Sequence, residues 1–320
     1  MRTLPFPPLG TSLSRIVLGS TWFKPERFDE VAAILDAFVE RGGNAIDTAE
    51  NYGRGLSEQT IGRWLRERGA AGVRPLIISK GGHPYDGIAR LTRDDLHADL
   101  ESSLERLGLD NIDLWMLHRD DPKQPVGQIL ETVAEVTEGE RVRAIAASNW
   151  SPERLDEAAA YARDHGLRGF AASSPHLSLA RQVAPPWEGG LTAADAAVRV
   201  WYADRQMPLF AWSSTAGGYF AGGARQPDAT REDAALGTYD SDDNRERYRR
   251  AVTVAERLGT APERVALAWV LSQPFPTFAV LGTSKVEHLD SAIAAAELEL
   301  TPDDVAWLAY DEAEPNALSA

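Results

Sequence analysis

The 320-residue chain has no cysteine. That absence removes disulfides, thiol nucleophiles and thiolate metal sites at once. Lysine is almost missing as well: of 33 basic side chains only Lys24, Lys80, Lys123 and Lys285 are lysines, so each stands out from an arginine background. Positive charge is in deficit overall, with a net charge of −15 and a pI near 4.9. This argues against a nucleic-acid partner, because phosphate backbones are gripped by clustered lysine and arginine. No apolar run approaches the roughly 20 residues of a membrane-spanning helix. The opening Met1-Arg2-Thr3-Leu4-Pro5-Phe6-Pro7-Pro8 is broken by three prolines and has no apolar leader core, so a cytoplasmic protein without a membrane partner is expected. No His, Asp and Glu spacing suits a metal, and none is expected.

What is present is an alternation of short apolar runs with longer segments of helical period. Strands are expected at Ile16–Gly19, Asn44–Asp47, Leu76–Lys80, Ile112–His118, Val142–Ser148, Phe170–Ser173, Pro208–Trp212 and Thr277–Leu281. Between and after them helices are expected at Phe28–Glu40, Ser57–Arg68, Arg93–Leu107, Val126–Glu138, Pro152–Asp164, Thr192–Asp204, Asp243–Leu258, Pro262–Ser272, Val286–Ala295 and Pro302–Tyr310. Ser57-Glu58 and Thr92 through Asp95 read as capped first turns, and Ser151-Pro152 as an N-cap followed by proline at the first helical position. Gly42, Gly69, Gly108, Gly139, Gly166 and Gly259 mark stops. The strands are apolar with little alternation, which suits a parallel sheet covered on both faces. Eight such units predict an α/β fold, a (β/α)8 TIM barrel with an N-terminal β-hairpin and extra C-terminal helices. An open doubly wound sheet would normally carry G-x-G-x-x-G after its first strand, and the chain has none. Residues 1–320 read as a single barrel domain. Within it residues 1–14 form a hairpin closing the bottom, and 296–320 a last helix and tail. The two longest irregular stretches, Ser174–Leu191 and Ser213–Asp242, are long enough to expect a functional use.

Barrel chemistry sits at the C-terminal ends of the strands. There the sequence puts Asp47 and, just beyond it, Tyr52; then Lys80, His118, Ser148-Asn149 and Trp212-Ser213. An acid, a phenol, an ammonium and an imidazole are the parts needed to protonate a carbonyl oxygen near neutral pH. A phenol is a weak acid there, and a nearby ammonium stabilises its anion. The stretch Asp47-Thr-Ala-Glu-Asn-Tyr52-Gly53 resembles the D-T-A-x-x-Y-G of the aldo-keto reductases, a superfamily of NAD(P)H-dependent barrel oxidoreductases. Gly55-Leu-Ser57-Glu58 through Gly62 is similar to its G-x-S-E-x-x-I-G. Ser103-Leu104-Glu-Arg106-Leu107 with Ile112-Asp113-Leu114 and His118, and then Gly139 through Arg143 with Ser148-Asn149, continue the pattern in order.

The resemblance implies a catalytic tetrad of Asp47, Tyr52, Lys80 and His118 acting on a small-molecule carbonyl. Tyr52 would be the proton donor, Lys80 would ease its ionisation, Asp47 would hold Lys80, and His118 would orient the substrate oxygen. It also implies nucleotide contacts. Asp47, Ser148, Asn149 and Ser174 would lie near the nicotinamide, with Trp212 stacked on it. Gly19, Ser20, Thr21, Ser213, Ser214, Thr215 and Gly217 would meet the pyrophosphate. Gly282, Thr283, Ser284, Lys285 and His288 would surround the adenosine phosphate. The chain departs from the family pattern at Ser173-Ser174, where glutamine is usual, at Leu177, where a tyrosine ring is common, and at Gly282 and His288, where many relatives have lysine and arginine. NADP(H) is favoured over NAD(H). The His118-Arg119-Asp120-Asp121-Pro122 run resembles a bacterial branch associated with sugar and polyol carbonyls. With Trp22, His83, Tyr85, Arg119, Trp150 and Trp187 it suggests a polar pocket with aromatic walls for a sugar-derived carbonyl; a pairing of Arg119 with Asp120 that merely shapes the loop is the alternative. A nucleotide-binding sensor of the same fold and a cofactor-free lyase or isomerase are the competing functional readings.

Overall fold

Eight parallel strands close on themselves, each lying beside its neighbours in chain order and the last beside the first. They are β3 (Ile16–Gly19), β4 (Ala45–Asp47), β5 (Leu76–Gly81), β6 (Ile112–Leu117), β7 (Val142–Ser148), β8 (Ser173–Ser174), β9 (Leu209–Ala211) and β10 (Thr277–Gly282). The computed structural model describes residues 1–68, 74–186, 190–222 and 237–310. Gly69, Trp187, much of the second long loop and the tail beyond 310 lie outside the described residues. The expected (β/α)8 barrel is what the chain forms. The helices are α1 (Phe28–Glu40), α2 (Leu56–Arg68), α3 (Arg93–Leu107), α4 (Val126–Val136), α5 (Pro152–His165), α6 (Ala196–Arg205), α7 (Asp242–Leu258), α8 (Pro262–Leu271), α9 (Val286–Glu297) and α10 (Pro302–Ala309).

Beneath the barrel, β1 (Thr3–Phe6) and β2 (Thr11–Ser14) pair as the expected antiparallel hairpin. Its Phe6 is fully buried and meets Phe210 and Phe278 edge-on, with ring centroids 5.9 and 6.0 Å away. Burying a phenylalanine contributes roughly 1.5–3 kcal/mol, so the hairpin is held by its side chains as well as by its ladder. Phe6 joins Val17, Ala45, Ile78, Leu114, Met116, Ala144, Ala146, Ala172, Phe210 and Phe278 in one apolar plug. With the bottom filled, the opposite rim is left for chemistry.

Local signals were read correctly at several ends. Thr92 and Ser151 accept hydrogen bonds from the backbone N–H groups of Asp95 and Arg154 as N-caps, and Gly108, Gly166 and Gly259 close their helices in the left-handed conformation. Ser57 is a correction. The helix begins at Leu56, and the Ser57 hydroxyl donates to Ser20 O and Phe23 O at 2.7 and 3.3 Å, tying down the loop after β3 instead of capping its own helix. Strand β8 is also shorter than expected and displaced from Phe170–Ser173, because Phe170 leaves the ladder to pack edge-on against Trp150. Helix α4 stops at Val136, before Gly139, as the Thr137 hydroxyl turns back to Val133 O.

Asp113 is the one ionisable residue within β6, and it is fully buried. Its carboxylate accepts from Ile77 N at 2.8 Å and pairs with Arg74 and Arg143 at 3.0 and 2.7 Å. It therefore binds the starts of three successive strands together. Both arginines can reach water, so the main cost of losing Asp113 is an unsatisfied backbone N–H. Asp113→Ala is expected to lower the unfolding free energy by about 1–3 kcal/mol, read from the denaturant midpoint.

Candidate active site

Side chains along a strand alternate between the barrel interior and the helix layer. Val17, Ala45, Ile78, Met116, Ala146, Ala172 and Phe210 belong to the inner plug. Two residues further on each segment stand Gly19, Asp47, Lys80, His118, Ser148, Ser174 and Trp212. The sequence-expected site is thus the next inward layer above the apolar plug, contributed by seven neighbouring segments. In the ladder Gly19 pairs with Asp47 and Ser148 with Ser174, whereas Asp47 pairs with Ile78 and Lys80 with Met116, a two-residue stagger at each step, as the tilt of barrel strands requires; His118 N donates to Gly81 O at 2.8 Å. Tyr52 arrives differently, on a short turn of 3-10 helix, Tyr52–Gly55, in which Gly53 and Arg54 take left-handed angles.

Asp47 and Lys80 are each 3% exposed and His118 6%. The Lys80 ammonium donates to both Asp47 carboxylate oxygens at 2.7 Å, to Thr48 O at 2.9 Å and to Tyr52 Oη at 3.2 Å. Burial alone would drive Lys80 towards its neutral form, but the Asp47 carboxylate, and after it Tyr52, outweigh that and hold its pKa above the ordinary value. Tyr52 departs from expectation in one respect. Lys80 does favour its anion, yet burial is the larger influence, and the phenol is held above its ordinary pKa of 10. It therefore carries its proton at neutral pH. Because Tyr52 Oη accepts from Lys80, its own hydrogen is directed elsewhere and is available to an oxygen in the pocket. His118 meets Tyr52 edge-on with ring centroids 5.7 Å apart. Burial, then Lys80 and Arg119, depress its pKa well below the ordinary value, so the imidazole is neutral, and its buried Nδ1 has no protein partner.

A set of polar contacts holds the Tyr52 loop from behind. Glu58 is fully buried; it accepts from Ser79 Oγ at 2.7 Å and from Arg106 at 3.3 Å. Arg106 also donates to Glu50 O at 3.3 Å and packs so closely on Gly55 that a Cβ there would collide with its guanidinium. These residues fell inside the quoted motifs, but sequence reasoning gave Arg106 no role and read Glu58 only as a first-turn acid.

The expected nucleotide residues form a connected strip. Ser148 Oγ donates to Ser174 O at 3.0 Å, and Asn149 Nδ2 to Ser148 Oγ at 2.9 Å and to His118 O at 3.4 Å. Trp212 Nε1 donates to Asn149 Oδ1 at 3.2 Å. Ser174 donates to Phe210 O at 2.8 Å, which uses its only proton within the barrel. Thr215 in a right-handed and Ala216 in a left-handed conformation form the kind of backbone pair that makes anion-binding concavities, and Ser213, Gly217 and Gly218 are also left-handed. Ser20 Oγ is buried at the end of β3 with no protein partner. These features fit a dinucleotide. At α9, Thr283 Oγ1 accepts from Lys285 N at 3.1 Å, leaving Gly282, Ser284, Lys285 and His288 exposed around the helix start.

The substrate residues divide. His83 lies 4.8 Å from the His118 ring and 5.8 Å from Tyr85, whose hydroxyl donates to Glu50 Oε2 at 2.8 Å. Trp22 is half-buried beneath Arg27, with its indole N–H unpartnered. Arg119 donates to His118 O at 2.9 Å. Trp150 is corrected: at 1% exposure, in the main apolar cluster and edge-on to Phe170, it is core and not an open pocket wall. The charged loop also differs from expectation. Asp120 forms a bidentate pair with Arg154 at 2.8 Å, and Asp121 accepts from Lys123 N and Gln124 within its own turn. Of the three charges after His118, both carboxylates are committed elsewhere.

Position 177 carries no aromatic ring, but its neighbour His176 does. Leu177 is buried in an apolar cluster, while the His176 ring stands 5.0 Å from Trp212. The alternating polar pattern Ser174-Pro175-His176-Leu177-Ser178 was the signal that should have found it.

A phenol, an ion-paired ammonium and a neutral imidazole thus meet at the C-terminal rim of a (β/α)8 barrel. The chain belongs to the aldo/keto reductase family, whose model matches residues 15–310. It is 28% identical over 303 residues to the oxidoreductase YrpG of Bacillus subtilis, covering 91% of this chain and 90% of that one. It is 30% identical over 288 residues to the aldo-keto reductase str7 of Strobilurus tenacellus, covering 88% and 80%. It is 28% identical over 294 residues to the aryl-alcohol dehydrogenase GME11368 of Pestalotiopsis microspora, covering 85% and 70%. The protein is accordingly an oxidoreductase acting on carbonyls with a nicotinamide cofactor. No described helix is long and apolar enough to cross a membrane.

Buried neutral histidines make stability acid-sensitive. Burial lowers His176 to a pKa of about 4 against an ordinary 6.5. The unfolded chain takes up a proton as pH falls through 6.5 while the folded chain does not, so stability is lost from there downward until the folded group also titrates. His118 acts in the same direction. Between pH 7 and 4 the wild type should lose about 3 kcal/mol through His176 alone. In denaturant titrations at the two pH values, His176→Phe should lose correspondingly less.

Proposed function

We propose that the chain reduces a polar, sugar-derived aldehyde or ketone with NADP(H), and that Tyr52 delivers the proton. The observation that carries this reading is the Lys80 ammonium, paired with Asp47 yet 3.2 Å from Tyr52 Oη. Reduced nicotinamide, when bound, supplies the hydride. Everything else falls to the protein. Tyr52 holds a proton at neutral pH and points it away from Lys80. As that proton passes to the substrate oxygen, the ammonium stabilises the phenolate left behind. Asp47 keeps Lys80 charged and fixed. Neutral His118 offers an N–H to the same oxygen, which orients the carbonyl without adding a competing acid. Proton delivery of this kind contributes about 10²–10⁴-fold in rate.

For the nucleotide, Trp212 would stack on the nicotinamide, with Ser148 and Asn149 at its amide. Ser20, Thr21 and the Ser213–Gly217 loop would face the pyrophosphate. Ser284, Lys285 and His288 would hold the 2′-phosphate that distinguishes NADP(H), Lys285 being one of only four lysines in the chain. For the substrate, Arg119, His83 and the Tyr85 hydroxyl offer hydrogen bonds to hydroxylated carbon chains. A second reading has its own support. The rings of Tyr52, His118, His83 and Tyr85 form a continuous series, edge-on at the first two contacts and tilted at the third. Such a wall also suits an aromatic carbonyl, as the name of the fungal aryl-alcohol dehydrogenase relative suggests.

A panel of carbonyls followed by nucleotide absorbance separates these readings. Sugar-derived aldehydes are expected to exceed benzaldehydes in kcat/KM, and NADPH to exceed NADH, each by about tenfold. The reverse substrate order would select the aromatic reading. Tyr52→Phe should lower kcat for reduction by at least about 10²-fold while NADPH affinity stays within about twofold. Turnover near the wild-type rate would remove Tyr52 as the donor.

A further inference from the structure

His176 joins three segments that are distant in sequence. Its backbone N–H donates to Thr192 O at 2.9 Å, and its carbonyl accepts from Ala194 N at 2.8 Å. Its ring faces Trp212 at 5.0 Å and 64°. Its Nε2 lies 3.0 Å from Tyr239 Oη and 3.3 Å from Ser178 Oγ. The Ser178 hydroxyl spends its proton on Ala180 O at 2.6 Å, so towards His176 it can only accept. The imidazole is 3% exposed and neutral, and Tyr239 is 4% exposed, just before α7. On its other side, Trp212 is held through Nε1 by Asn149 Oδ1, and its backbone N–H by Pro175 O at 3.2 Å. The indole is thus fixed at its N–H edge by the nicotinamide strip and braced at its ring by His176.

We propose that His176 is a positioning residue, anchored by Tyr239, that holds the Trp212 ring in the orientation required to stack on the nicotinamide. This rests on the assignment of Trp212 as a nucleotide contact. The hydrogen-bond and ring partners of His176 are Tyr239, Ser178, Thr192, Ala194 and Trp212, none of them in the tetrad, so its effect passes through Trp212. An aromatic ring supplies the brace and a nitrogen fixes that ring. Phenylalanine keeps the first and loses the second, while alanine loses both.

A double-mutant cycle on NADPH binding, followed by fluorescence titration of the full-length protein, tests this. An edge-on ring contact is worth a factor of about three to ten, so His176→Ala should weaken NADPH binding by about that much. His176→Phe should recover most of it. Tyr239→Phe, which deletes one hydroxyl, should weaken binding about two- to fivefold. The KM for the carbonyl should stay within about twofold in all three. In a Trp212→Ala background the effects of His176→Ala and Tyr239→Phe should vanish, because the ring they position is gone. A merely structural role would lower the melting temperature but leave the two sites additive. Additive effects, or unchanged affinity in both His176→Ala and Tyr239→Phe, would overturn the inference while leaving the proposed function standing. Failure of the wild-type chain to bind NADPH would overturn both.

Discussion

The site depends on one buried ion pair. Lys80 and Asp47 are almost wholly removed from water, which costs both charges heavily in hydration, and their attraction does not by itself make such a pair stabilising. What the pair provides is direction. An ammonium has three protons, and here four oxygens surround it: two of Asp47, one of Thr48 and one of Tyr52. The carboxylate keeps the nitrogen charged, the Thr48 carbonyl fixes its rotation, and the remaining direction is towards the phenol. Tyr52 becomes an acceptor on one side and so a donor on the other. Without Asp47 the same lysine, in the same apolar surroundings, would drift towards its neutral form and lose its influence on the phenol.

The barrel supplies this arrangement by periodicity. Each strand sends every second side chain inward, and a plug of alanine, valine, methionine and phenylalanine fills the lower levels. Where the strands end, one further step along the same alternation reaches Gly19, Asp47, Lys80, His118, Ser148, Ser174 and Trp212 on seven neighbouring segments. The hairpin contributes by closing the lower end with Phe6. A short reach from each strand end then suffices to bring groups from β4, β5 and β6 within hydrogen-bonding or ring contact. The phenol is the exception, reached through a turn that needs left-handed angles at Gly53 and Arg54.

That division explains what could be read in advance. Strand ends and helix faces follow from local apolar period, and α1, α3 and β7 were bounded to the residue. The family was legible because four chemically unusual side chains sit at or just past strand ends in its order, and the structure brings Asp47, Lys80, Tyr52 and His118 together. What escaped was the choice of partner. Proximity in sequence pairs Asp120 with Arg119, but Arg154 holds it from 34 positions away. Ser57 looked like a cap and is a tie to the β3 loop. Trp150 shares the parity of Ser148, yet it lies beyond the end of β7, where the chain has left the strand alternation and packs the indole against Phe170 in the main apolar cluster. His176 was passed over for its neighbour because a one-residue shift reverses which side chain faces the barrel.

The arginine-rich composition, which carried no functional reading by itself, acquires one from these partners. Arg90 pairs with Asp99 at 2.7 Å, and Asp99 accepts from Gly82 N in the loop that carries His83. Arg106 clasps Glu58 and the Glu50 carbonyl behind the Tyr52 loop. Arg154 clasps Asp120 and the carbonyls of Asp121 and Gln124 in the loop after His118. Arg106 and Arg154 are each joined to both a carboxylate and backbone carbonyls, while Arg90 reaches the backbone of its loop through Asp99. A guanidinium suits that task, since its planar fork can serve a carboxylate and a carbonyl together. The same fork would suit the centre poorly: an arginine at position 80 would spread its charge across the Asp47 carboxylate instead of concentrating it near Tyr52. Arginine at the clamps and a single lysine at the centre are therefore two answers to different geometric demands, planar bridging at the rim and a compact charge beside the phenol.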